Sequence, residues 1–387
     1  MSRWPLISLG EILEDRAKRP DSMKVATGEI KVVSKIRFSD GGIEFRSGTD
    51  SKTGLIQCDS GDLLLSGINA TKGAIAIWPE GKPAIAATIH YAAYRVNHNI
   101  SFARYMWWFL RSQTFRDIIF RSLPDGIKTE LKPKRLLPIK VPLPSLKDQS
   151  IIVNRLDQLT DKVRQIDQHL DAIDAVAEAL LISLHHKFAA GRLVRLGDII
   201  ELFEESELIK PDGQYPQVGV RGFGGGLFAK PALAGTETSY RAFNRLYTDA
   251  IVLSQVKGWE GALAVCPPEL AGMFVSPEYR TFHCKPDLAS PVYLGELIRT
   301  PWFWSLLQAA TRGVGARRER TRPEQFLNIE LPMPEFQDQL KIVEILSRQN
   351  ELKQRHTKIR EANQALIPAT LERLFSNAMG EHKTKCN

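Results

Sequence analysis

Cysteine is scarce in this sequence, and long runs of apolar residues are missing. The four cysteines lie far apart and form no Cys-x-x-Cys pair, at Cys58, Cys266, Cys284 and Cys386. This spacing argues against a structural zinc site and a disulfide framework, and it suits a reducing cytoplasm. No segment supplies the roughly 20 apolar residues of a membrane helix, and charges follow too early for a secretory signal. We therefore expect a cytoplasmic protein without membrane contact.

Recognisable catalytic motifs are also missing. The sequence has no Asn-Pro-Pro-Tyr methyltransferase motif and no Gly-x4-Gly-Lys-Ser/Thr phosphate loop. The segment Pro124–Lys132 (PDGIKTELK) superficially matches the Asp…Glu-x-Lys pattern of nucleases. Its two acids, however, lie only five residues apart in a turn-rich segment, whereas a nuclease site draws them from separate strand positions. The histidines are dispersed, and His185–His186 suits the C-terminal end of a helix dipole better than a metal site. We expect no catalytic residue and no metal in this chain.

What the sequence does contain is an internal repeat. The segment from Leu137 (LPIKVPLPSLKDQ) aligns with the segment from Leu327 (LNIELPMPEFQDQ), 190 residues later. Upstream, LISLGEILE from Leu6 aligns with LVRLGDIIE from Leu193, 187 residues later. Between them, DLLLSGINATKGAIAI from Asp62 resembles DAIVLSQVKGWEGALAV from Asp249. The chain is therefore predicted to be a tandem duplication of a globular unit followed by a long helix.

The first long helix is predicted just before the middle of the chain. After Pro144, no Pro and no Gly occur up to Ala190, and apolar residues recur in steps of three and four. This pattern is typical of a coiled coil, and its length corresponds to a rod of about 65 Å. Ser145 with Asp148 indicates a helix start, and Gly191 indicates a stop. The apolar positions that we expect to pair are Leu156, Leu159, Val163, Ile166, Leu170 and Ile173.

The second long helix, from Glu335 to Met379, is less apolar. A seven-residue spine is predicted at Ile345, Leu352, Ile359 and Leu366. The alternate positions are polar, at Gln349, His356, Asn363 and Thr370, and should fix register at some cost in stability. Pro368 should bend the helix. We expect the two helices to pair antiparallel within one chain and to hold the globular units at opposite ends; pairing between two copies of the chain is the alternative.

The predicted fold class is α+β, with two similar mixed α/β domains separated by the two long helices. Helices are expected at Arg104–Ile119 and at Val292–Leu307, the latter interrupted by Pro301. The tryptophans in these helices, Trp107, Trp108, Trp302 and Trp304, are expected in the core rather than stacked on bases. The predicted boundaries are 1–143 and 192–333 for the domains, 144–191 and 334–380 for the helices, and 381–387 for a disordered tail.

The formal net charge of +8 raises the possibility of a nucleic-acid partner. Basic segments precede both Pro-rich lead-ins to the long helices, and they could contact phosphates, dock a partner subunit, or be plain solvated loops. Phosphate contacts supply affinity rather than sequence choice. The first segment contributes Lys128, Lys132, Lys134 and Arg135. The second contributes Arg312, Arg317, Arg318, Arg320 and Arg322.

Side chains that could read base edges are found in or beside predicted turns. Arg pairs with guanine and Asn with adenine in the usual readout, although any one of these residues could be ordinary surface. The candidates in the first unit are Lys31, Lys35, Arg37, Arg46 and Lys72, with Asn69 and Thr71. Those in the second are Arg221, Arg241, Arg245 and Lys257, with Tyr240, Asn244 and Trp259. The glycine cluster Gly222–Gly226 lacks the GxGxxG spacing, so it indicates a loop or a close approach to DNA rather than a dinucleotide site.

Taken together, these features resemble the specificity subunit of type I restriction-modification systems over the whole chain. The resemblance rests on the repeat, on the LPIKVPLPSLKDQ and LNIELPMPEFQDQ segments that lead into long helices, and on the LGEI and LGDI openings. It implies two target-recognition domains, each reading one half of a bipartite, asymmetric site in double-stranded DNA. It also implies helices that set the spacing and dock two adenine methyltransferase (modification) subunits, with restriction subunits completing a phage-defence complex.

The resemblance implies a non-catalytic chain, with S-adenosylmethionine, ATP and Mg bound only by partner subunits. The polar, proline-bearing second helix departs from the pattern and bears on how the helices pair. Two other classes of function stay open from the residues alone. One is a nuclease or methyltransferase with a degenerate site, and the other is a coiled-coil interaction protein without DNA function.

Overall fold

The computed structural model describes residues 4–48, 53–123, 130–311 and 320–376. Contacts divide the chain into two units: unit 1 takes Met1–Gln168 with Lys358–Asn387, and unit 2 takes His169–Thr357. Each unit thus contains one of the predicted globular regions and a part of both predicted long helices. The predicted tail, 381–387, and the last residues of the predicted second helix lie outside the described residues. No helix among the described residues is both long and apolar enough to cross a membrane.

The globular part of unit 1 alternates short strands and helices. Its elements are β1 (Leu6–Ser8), α1 (Leu9–Ile12), β2 (Leu13–Asp15), α2 (Ser22–Ala26), β3 (Val33–Ile36), β4 (Ile43–Phe45), β5 (Leu55–Cys58), β6 (Leu63–Ser66), β7 (Ile75–Ile77), β8 (Ile85–Thr88), β9 (Tyr91–Val96), α3 (Ala103–Phe109), α4 (Gln113–Ser122), α5 (Pro133–Leu136) and β10 (Lys140–Pro142). The helix predicted over 104–119 is two helices, because Ser112 caps α4 by accepting from the Phe115 N–H.

An antiparallel sheet with strand order β2-β9-β6-β7 organises unit 1. Successive residues of a strand face opposite sides, so Leu63 and Leu65 pack against α3 and α4, with Trp107, while Leu64 packs on the other side. That other side is covered by the hairpin β3-β4 and the pair β5-β8. Trp107 and Trp108 are buried, which confirms that they belong to the core.

The chain then enters α6 (Leu146–Ala189), and the globular part of unit 2 follows. Its elements are β11 (Leu193–Arg195), α7 (Leu196–Ile199), β12 (Ile200–Leu202), β13 (Glu205–Leu208), β14 (Gln214–Val220), β15 (Leu227–Ala234), β16 (Ala242–Arg245), β17 (Ile251–Ser254), β18 (Leu263–Val265), β19 (Phe274–Val275), β20 (Tyr279–Cys284), α8 (Pro291–Leu297), α9 (Pro301–Thr311), α10 (Pro323–Leu327) and β21 (Glu330–Pro332), before α11 (Phe336–Ser376). As predicted, Pro301 interrupts the helical region, and it begins α9.

Unit 2 repeats the plan of unit 1. Its sheet β12-β20-β17-β18 corresponds to β2-β9-β6-β7, and β11 pairs with β21 as β1 pairs with β10. Ile251 and Leu253 face the helices while Val252 faces the second layer, as Leu63, Leu65 and Leu64 do in unit 1. The second layer differs, because unit 2 builds a five-stranded sheet, β13-β16-β19-β14-β15, with a long β14–β15 hairpin. The predicted α+β duplication with two long helices is confirmed.

Both long helices begin and continue much as the sequence indicates. The Ser145 hydroxyl accepts from the Asp148 N–H at 3.2 Å and donates to the Asp148 carboxylate, so the predicted start of α6 is confirmed. After α6, Ala190 and Gly191 adopt positive φ angles of 47° and 77°, which stops the helix. The second helix, α11, continues through Pro368 as one helix from Phe336 to Ser376.

The two helices run antiparallel within each unit. In unit 1, Ile152 and Leu156 near the start of α6 share a core with Leu371 and Phe375 near the end of α11. In unit 2, Leu181 near the end of α6 shares a core with Ile342 and Leu346 near the start of α11. The predicted antiparallel pairing within one chain is therefore confirmed.

The predicted spine of α11 is wrong. Ile345, Leu352, Ile359 and Leu366 are 38% to 52% exposed. The polar residues Asn363 and Thr370 are buried in their place, and the side chain of Gln349 lies outside the described part of the chain. The reason is that the buried ends of α11, Ile342 and Leu346 in unit 2 and Leu371 and Phe375 in unit 1, decide which face of the helix turns inward.

The predicted face of α6 is only partly right. Leu156 and Leu170 are buried, and Leu159 and Val163 are half-buried. Ile166 and Ile173, in contrast, are exposed. The pairing between the helices in unit 1 includes a polar contact instead: Asn363 donates to the Val163 carbonyl at 3.0 Å and to the Asp167 carboxylate at 2.8 Å. This contact satisfies the buried amide and reduces the need for apolar residues beside it.

A buried glutamine ties each long helix to its globular part. Gln149, fully buried at the start of α6, donates to the carbonyls of Ile100 and Pro144 at 2.9 Å and accepts from Ser101 and Phe102. Gln339, in the equivalent place on α11, donates to the carbonyls of Leu288 and Pro334 at 3.0 Å and accepts from the Ser290 N–H. The glutamine at the end of both aligned lead-in segments is thereby explained.

Replacing Gln149 with leucine should destabilise unit 1. Leucine has a similar volume but leaves two carbonyls, one N–H and one hydroxyl buried without partners, at roughly 1–3 kcal/mol for each group that stays unpaired. We expect a loss of about 3 kcal/mol in the free energy of unfolding, measured by urea denaturation, and a similar loss for Gln339→Leu in unit 2. Gln158→Leu, at an exposed position of α6, is the matched control. Equal stability of Q149L and Q158L would contradict this account.

A buried histidine lies where α6 packs on α8 and α9. His185 is fully buried, its Nδ1 lies 2.5 Å from the Tyr293 hydroxyl, and its ring lies 4.8 Å from that of Trp302. Burial first, and the neighbouring His186 second, lower the pKa of His185 from 6.5 to about 4. The side chain is therefore neutral in the folded protein at pH 7.

His185 should make folding weaken as the pH falls. Below pH 6.5, the pKa of this histidine in the unfolded chain, the unfolded chain binds a proton at this residue, whereas the folded chain binds it only near pH 4. The free energy of unfolding therefore falls by roughly 1.4 kcal/mol per pH unit between these two values. When the pH is lowered from 6.5 to 5, the free energy of unfolding measured by urea denaturation should fall by about 2 kcal/mol less in His185→Phe than in the wild type. His169→Gln, at an exposed position of α6, should keep the wild-type dependence. An unchanged pH dependence in H185F would show that His185 does not act this way.

Candidate nucleic-acid interface

Each unit presents a hairpin tip beside a short 3-10 turn. Tip 1 is the loop Arg37–Gly42 between β3 and β4, and tip 2 is the loop Arg221–Gly226 between β14 and β15. The 3-10 turns, Ala70–Lys72 and Gly258–Glu260, follow β6 and β17 at equivalent places in the repeat. The tips and turns are the surfaces on which several predicted site residues come together.

An arginine from the corner between α3 and α4 pins tip 1. Arg111 donates to the carbonyls of Phe38, Ser39 and Gly73 at 2.5 Å to 3.1 Å, and its guanidinium lies 4.2 Å from the centre of the Trp107 ring. Burial lowers the pKa of Arg111 to about 10, so the group still carries its charge at neutral pH. Gly41 has φ 72°, and a Cβ there would lie 2.5 Å from the Ile75 carbonyl, so only glycine fits this approach.

The equivalent corner in unit 2 pins tip 2. Arg299, between α8 and α9, donates to the Gly224 carbonyl at 3.4 Å, and the Phe223 N–H donates to the Glu260 carbonyl at 2.8 Å. A Cβ on Gly224 would lie 2.9 Å from the Arg299 carbonyl, so the loop lies directly against this corner. Phe223 has φ 52°, a left-handed conformation that costs a non-glycine residue roughly 1–2 kcal/mol.

The basic segments lie beside the 3-10 turns in both units. The Leu131 N–H donates to the Gly67 carbonyl at 2.9 Å, and the Thr321 N–H donates to the Gln255 carbonyl at the same distance. Hairpin tip, 3-10 turn and the described end of the basic segment thus form one surface in each unit. We call these tip surface 1 (Arg37–Gly42, Gly67–Gly73 and 130–132) and tip surface 2 (Arg221–Gly226, Gln255–Gly261 and 320–322).

The structure brings some of the predicted DNA-binding residues together and leaves others apart. Those on the tip surfaces are Arg37, Lys72, Lys132, Arg221, Lys257, Arg320 and Arg322. Lys134 and Arg135 follow on α5 and line an open cavity of about 480 Å³ with Asp15 and Glu130. Lys31 and Arg46 lie at the other end of the β3–β4 hairpin, and Lys35 lies within β3, two residues before tip 1. Arg241 and Arg245 lie on or next to β16. Lys128, Arg312, Arg317 and Arg318 lie outside the described residues.

Several of these cations are paired with acids. The ion pairs are Lys35–Glu44 at 3.2 Å, Arg37–Asp40 at 2.7 Å, Lys132–Glu130 at 3.9 Å, Arg245–Glu207 at 2.8 Å, Lys257–Glu260 at 3.9 Å and Arg320–Glu278 at 3.2 Å. The Arg37 guanidinium lowers the pKa of Asp40. Within the described part of the chain, the exposed cations outside ion pairs include Arg46, Lys72, Lys134, Arg221, Arg241 and Arg322. These cations are more available for contacts with DNA phosphates than the cations that are paired with acids.

A cavity lined by both basic and acidic residues opens beside tip surface 1. It has a volume of about 990 Å³ and reaches from Phe38 and Lys72 past α3 and α4 to α6 and α11. Arg104, Arg111 and Arg116 line it on the side of α3 and α4, and Arg104 is held by the Asp157 carboxylate at 2.8 Å. The long helices contribute the acidic residues Asp167 and Glu372 on the other side, so the positive charge is confined to the side nearer tip 1.

Sequence reasoning missed the residues that shape these surfaces. Phe38 and Phe223 stand at the two tips, and Arg111 and Arg299 hold them. The signal for the arginines was their separation of 188 residues, which falls within the repeat offsets of 187 and 190. The signal for Phe223 was an aromatic residue within the glycine cluster of tip 2.

The described residues favour no catalytic chemistry. Of the two acids in the superficial nuclease-like pattern, Glu130 is 3.2 Å from the His90 ring nitrogen, and Asp125 lies outside the described residues. Burial raises the pKa of the Cys58 thiol and raises those of Cys266 and Cys284 to about 11 and about 12, so these thiols stay protonated and unreactive. Among the described residues, no group of three or more His, Cys, Asp or Glu could hold a metal ion.

Comparison with solved structures identifies the fold. A chain from the structure that describes complex assembly and conformational transition of the type I restriction-modification system superposes with a TM-score of 0.60 and 16% identity, over 97% of this chain and 96% of that chain. The protein shares the fold of that type I restriction-modification chain. The sequence matches no protein-family model and no curated protein sequence.

Two further chains align over 97% of this chain and 96% of their own length. They are the HsdS subunit from Thermoanaerobacter tengcongensis, with a TM-score of 0.46 and 16% identity, and the S subunit of a type I restriction-modification system from M. genitalium, with a TM-score of 0.46 and 13% identity. At these identities the likeness concerns the fold, and it leaves the individual contacts to be argued from this chain.

Proposed function

We propose that this chain is the sequence-specific DNA-binding subunit of a cytoplasmic type I restriction-modification complex. Each unit reads one half of a bipartite, asymmetric site in double-stranded DNA. The chain itself performs no catalysis. Two modification subunits and the restriction subunits bring the methyltransferase and nuclease chemistry, together with S-adenosylmethionine, ATP and Mg.

The observation that carries this proposal is the occurrence of equivalent tip surfaces in both units of a fold shared with a type I restriction-modification chain. Each surface combines a hairpin tip, a 3-10 turn and a basic segment, held by an arginine from the same corner. The two tips differ in sequence, as RFSDGG and RGFGGG, and only unit 2 carries the long β14–β15 hairpin. Different side chains on equivalent scaffolds favour two different half-sites.

The cations divide into two roles in this proposal. Lys72, Lys134 and Arg322, exposed and outside ion pairs, contact phosphates and supply affinity. Arg221, beside the glycines of tip 2, is the best-placed reader of a base edge, with its guanidinium 4.4 Å from the centre of the Phe228 ring. In this proposal, further contacts along the DNA backbone come from cations outside the tip loops, Lys31, Lys35, Arg46, Arg241 and Arg245, and from the basic residues outside the described ranges.

Selection from a pool of random-sequence duplexes tests the function. The full-length chain, alone and with co-expressed modification subunits, should enrich duplexes that share two short sequence blocks separated by a fixed gap. The logarithm of its affinity should fall linearly with the logarithm of salt concentration, because binding releases counterions. Absence of any enriched sequence, or DNA cleavage or methylation by the purified chain alone, would refute the proposal.

Single variants add a control to that test. Lys72→Ala should reduce the salt slope by about 0.9 and weaken binding to all sequences alike, as expected for one lost phosphate contact. Lys24→Ala removes an equally exposed lysine on α2 that is paired with Glu29 at 2.9 Å, so it should leave the slope unchanged.

The long helices supply the docking sites for the modification subunits in this proposal. Each unit exposes apolar residues on its helical segments: Ile166, Ile359 and Leu366 in unit 1, and Ile173, Val176, Ile345 and Leu352 in unit 2. On α11 they recur every seven residues, which is the spacing that a partner helix or groove recognises. The presence of one such set in each unit supports one modification subunit for each half of the chain.

Polar substitutions at these positions should weaken assembly without affecting folding. Because the side chains are exposed, we expect Leu352→Ser and Ile359→Ser to unfold at the wild-type urea concentration. We expect each to weaken binding of the modification subunit about tenfold, roughly 1.4 kcal/mol, in calorimetric titration. Leu208→Ser, at an exposed position of β13, is the control. If the variants instead converted a dimer of this chain into monomers, these faces would pair two copies of the chain.

A further inference from the structure

A phenylalanine stands exposed at each hairpin tip. Phe38 at tip 1 is 49% exposed, and Phe223 at tip 2 is 70% exposed. Folding gains less from such a phenylalanine than from a buried one, since about half or more of its surface stays hydrated. The same unfavourable placement occurs in the hairpin tip of both repeats, at the second residue of tip 1 and the third residue of tip 2, although the surrounding tip sequences differ. Neither ring has a role in the core that would account for its position.

The backbone that carries each ring is held firmly. Around Phe38, Arg111 donates to two successive carbonyls and to the Gly73 carbonyl of the 3-10 turn. Around Phe223, the residue's own N–H bonds to the Glu260 carbonyl, and its ring meets that of Trp304 edge-on at 5.9 Å. Phe223 keeps a left-handed backbone, φ 52°, which the surrounding contacts must stabilise. The rings are thus presented outward on rigid supports.

The groups around both rings are mainly cationic. Lys72 and Arg111 lie beside tip 1, where Asp40 is already paired with Arg37. Arg221, Lys257, Arg299 and Arg320 lie beside tip 2 among fewer acids, Glu260 and Glu278. A protein partner binds exposed aromatics mostly through an apolar surround, whereas DNA-binding wedges combine an apolar tip with flanking cations. The charge therefore favours DNA as the occupant.

We propose that Phe38 and Phe223 insert partly between adjacent base pairs of the two half-sites and unstack them. This inference rests on the proposed DNA-binding function and adds a specific contact to it. The aromatic face replaces part of the lost stacking, and the flanking cations hold the phosphates on either side of the opened step. Because pyrimidine–purine steps unstack most readily, each half-site should carry such a step at the position of its ring.

Fluorescence of 2-aminopurine locates the unstacked steps. The base is placed, one position at a time, in a duplex enriched by the full-length chain, and its fluorescence rises when it loses a stacked neighbour. Wild-type protein should raise the signal several-fold at one step in each half-site. Phe223→Ala should abolish the rise in one half only, and Phe38→Ala in the other half only. Each variant should bind about 5- to 100-fold more weakly, the range for one lost base–aromatic contact.

Three further variants distinguish insertion of the phenylalanine between base pairs, here called the wedge, from a purely structural role of the residue. Phe223→Trp should keep both the fluorescence rise and the affinity. Phe223→Gly relieves the left-handed strain, so it should unfold at the same or a higher temperature while it loses the rise. Phe120→Ala removes an exposed phenylalanine on α4, outside the hairpin tip, and it should behave as wild type.

The outcomes distinguish this inference from the function on which it rests. The chain could bind the enriched duplex without raising 2-aminopurine fluorescence at any position, while the alanine variants bind with wild-type affinity. In that case the proposed insertion of the phenylalanines is wrong and the DNA-binding function stands. If the alanine variants bind DNA normally but fail to bind the modification subunit, the tips are protein-docking surfaces, and the wedge is again wrong. If the chain enriches no duplex at all, both proposals fail together.

Discussion

The attachment of each long helix to its globular part is the interaction on which the rest of the structure depends. Gln149 and Gln339 are buried at the two helix starts, where each joins a loop of the globular part to the Pro-rich lead-in through several hydrogen bonds. A buried amide is tolerated only when its donors and acceptors are satisfied, so these bonds allow little freedom in how the helix leaves the domain. The far end of α11 is fixed differently, because Leu371 and Phe375 are buried in the hydrophobic core of unit 1.

These anchors also explain why α11 buries Asn363 and Thr370 while Ile345, Leu352, Ile359 and Leu366 face solvent. Burial of Ile342, Leu346, Leu371 and Phe375 near the two ends of the helix favours this orientation. Asn363 then makes the inward face acceptable by donating to Val163 and Asp167. The exposed apolar positions follow as a consequence, and they are the part of the helix that a partner protein could use.

Sequence reasoning predicted the architecture well and the candidate interface only in part. The repeat and the heptads predicted two similar units with antiparallel helices because both signals are local or come from comparison of the chain with itself. The cations were recognised by type, but Lys35, Arg37 and Arg245 have acidic partners that only the folded chain brings near. Phe38 could not be distinguished from a core phenylalanine, because an apolar residue carries no sequence mark of exposure, and for Phe223 only the surrounding glycines indicated a loop.

What the sequence by itself determined was the duplicated plan, the two long helices with the start and stop of the first, and the absence of recognisable catalytic motifs. These follow from periodicity, capping residues and side-chain chemistry, each of which acts within a few residues of the chain. The tertiary structure alone decided which face of α11 is buried, which arginines hold the hairpin tips, and which phenylalanines stand in solvent. Each of these depends on contacts between residues far apart in the chain, whose balance of burial and hydrogen bonding no local pattern encodes.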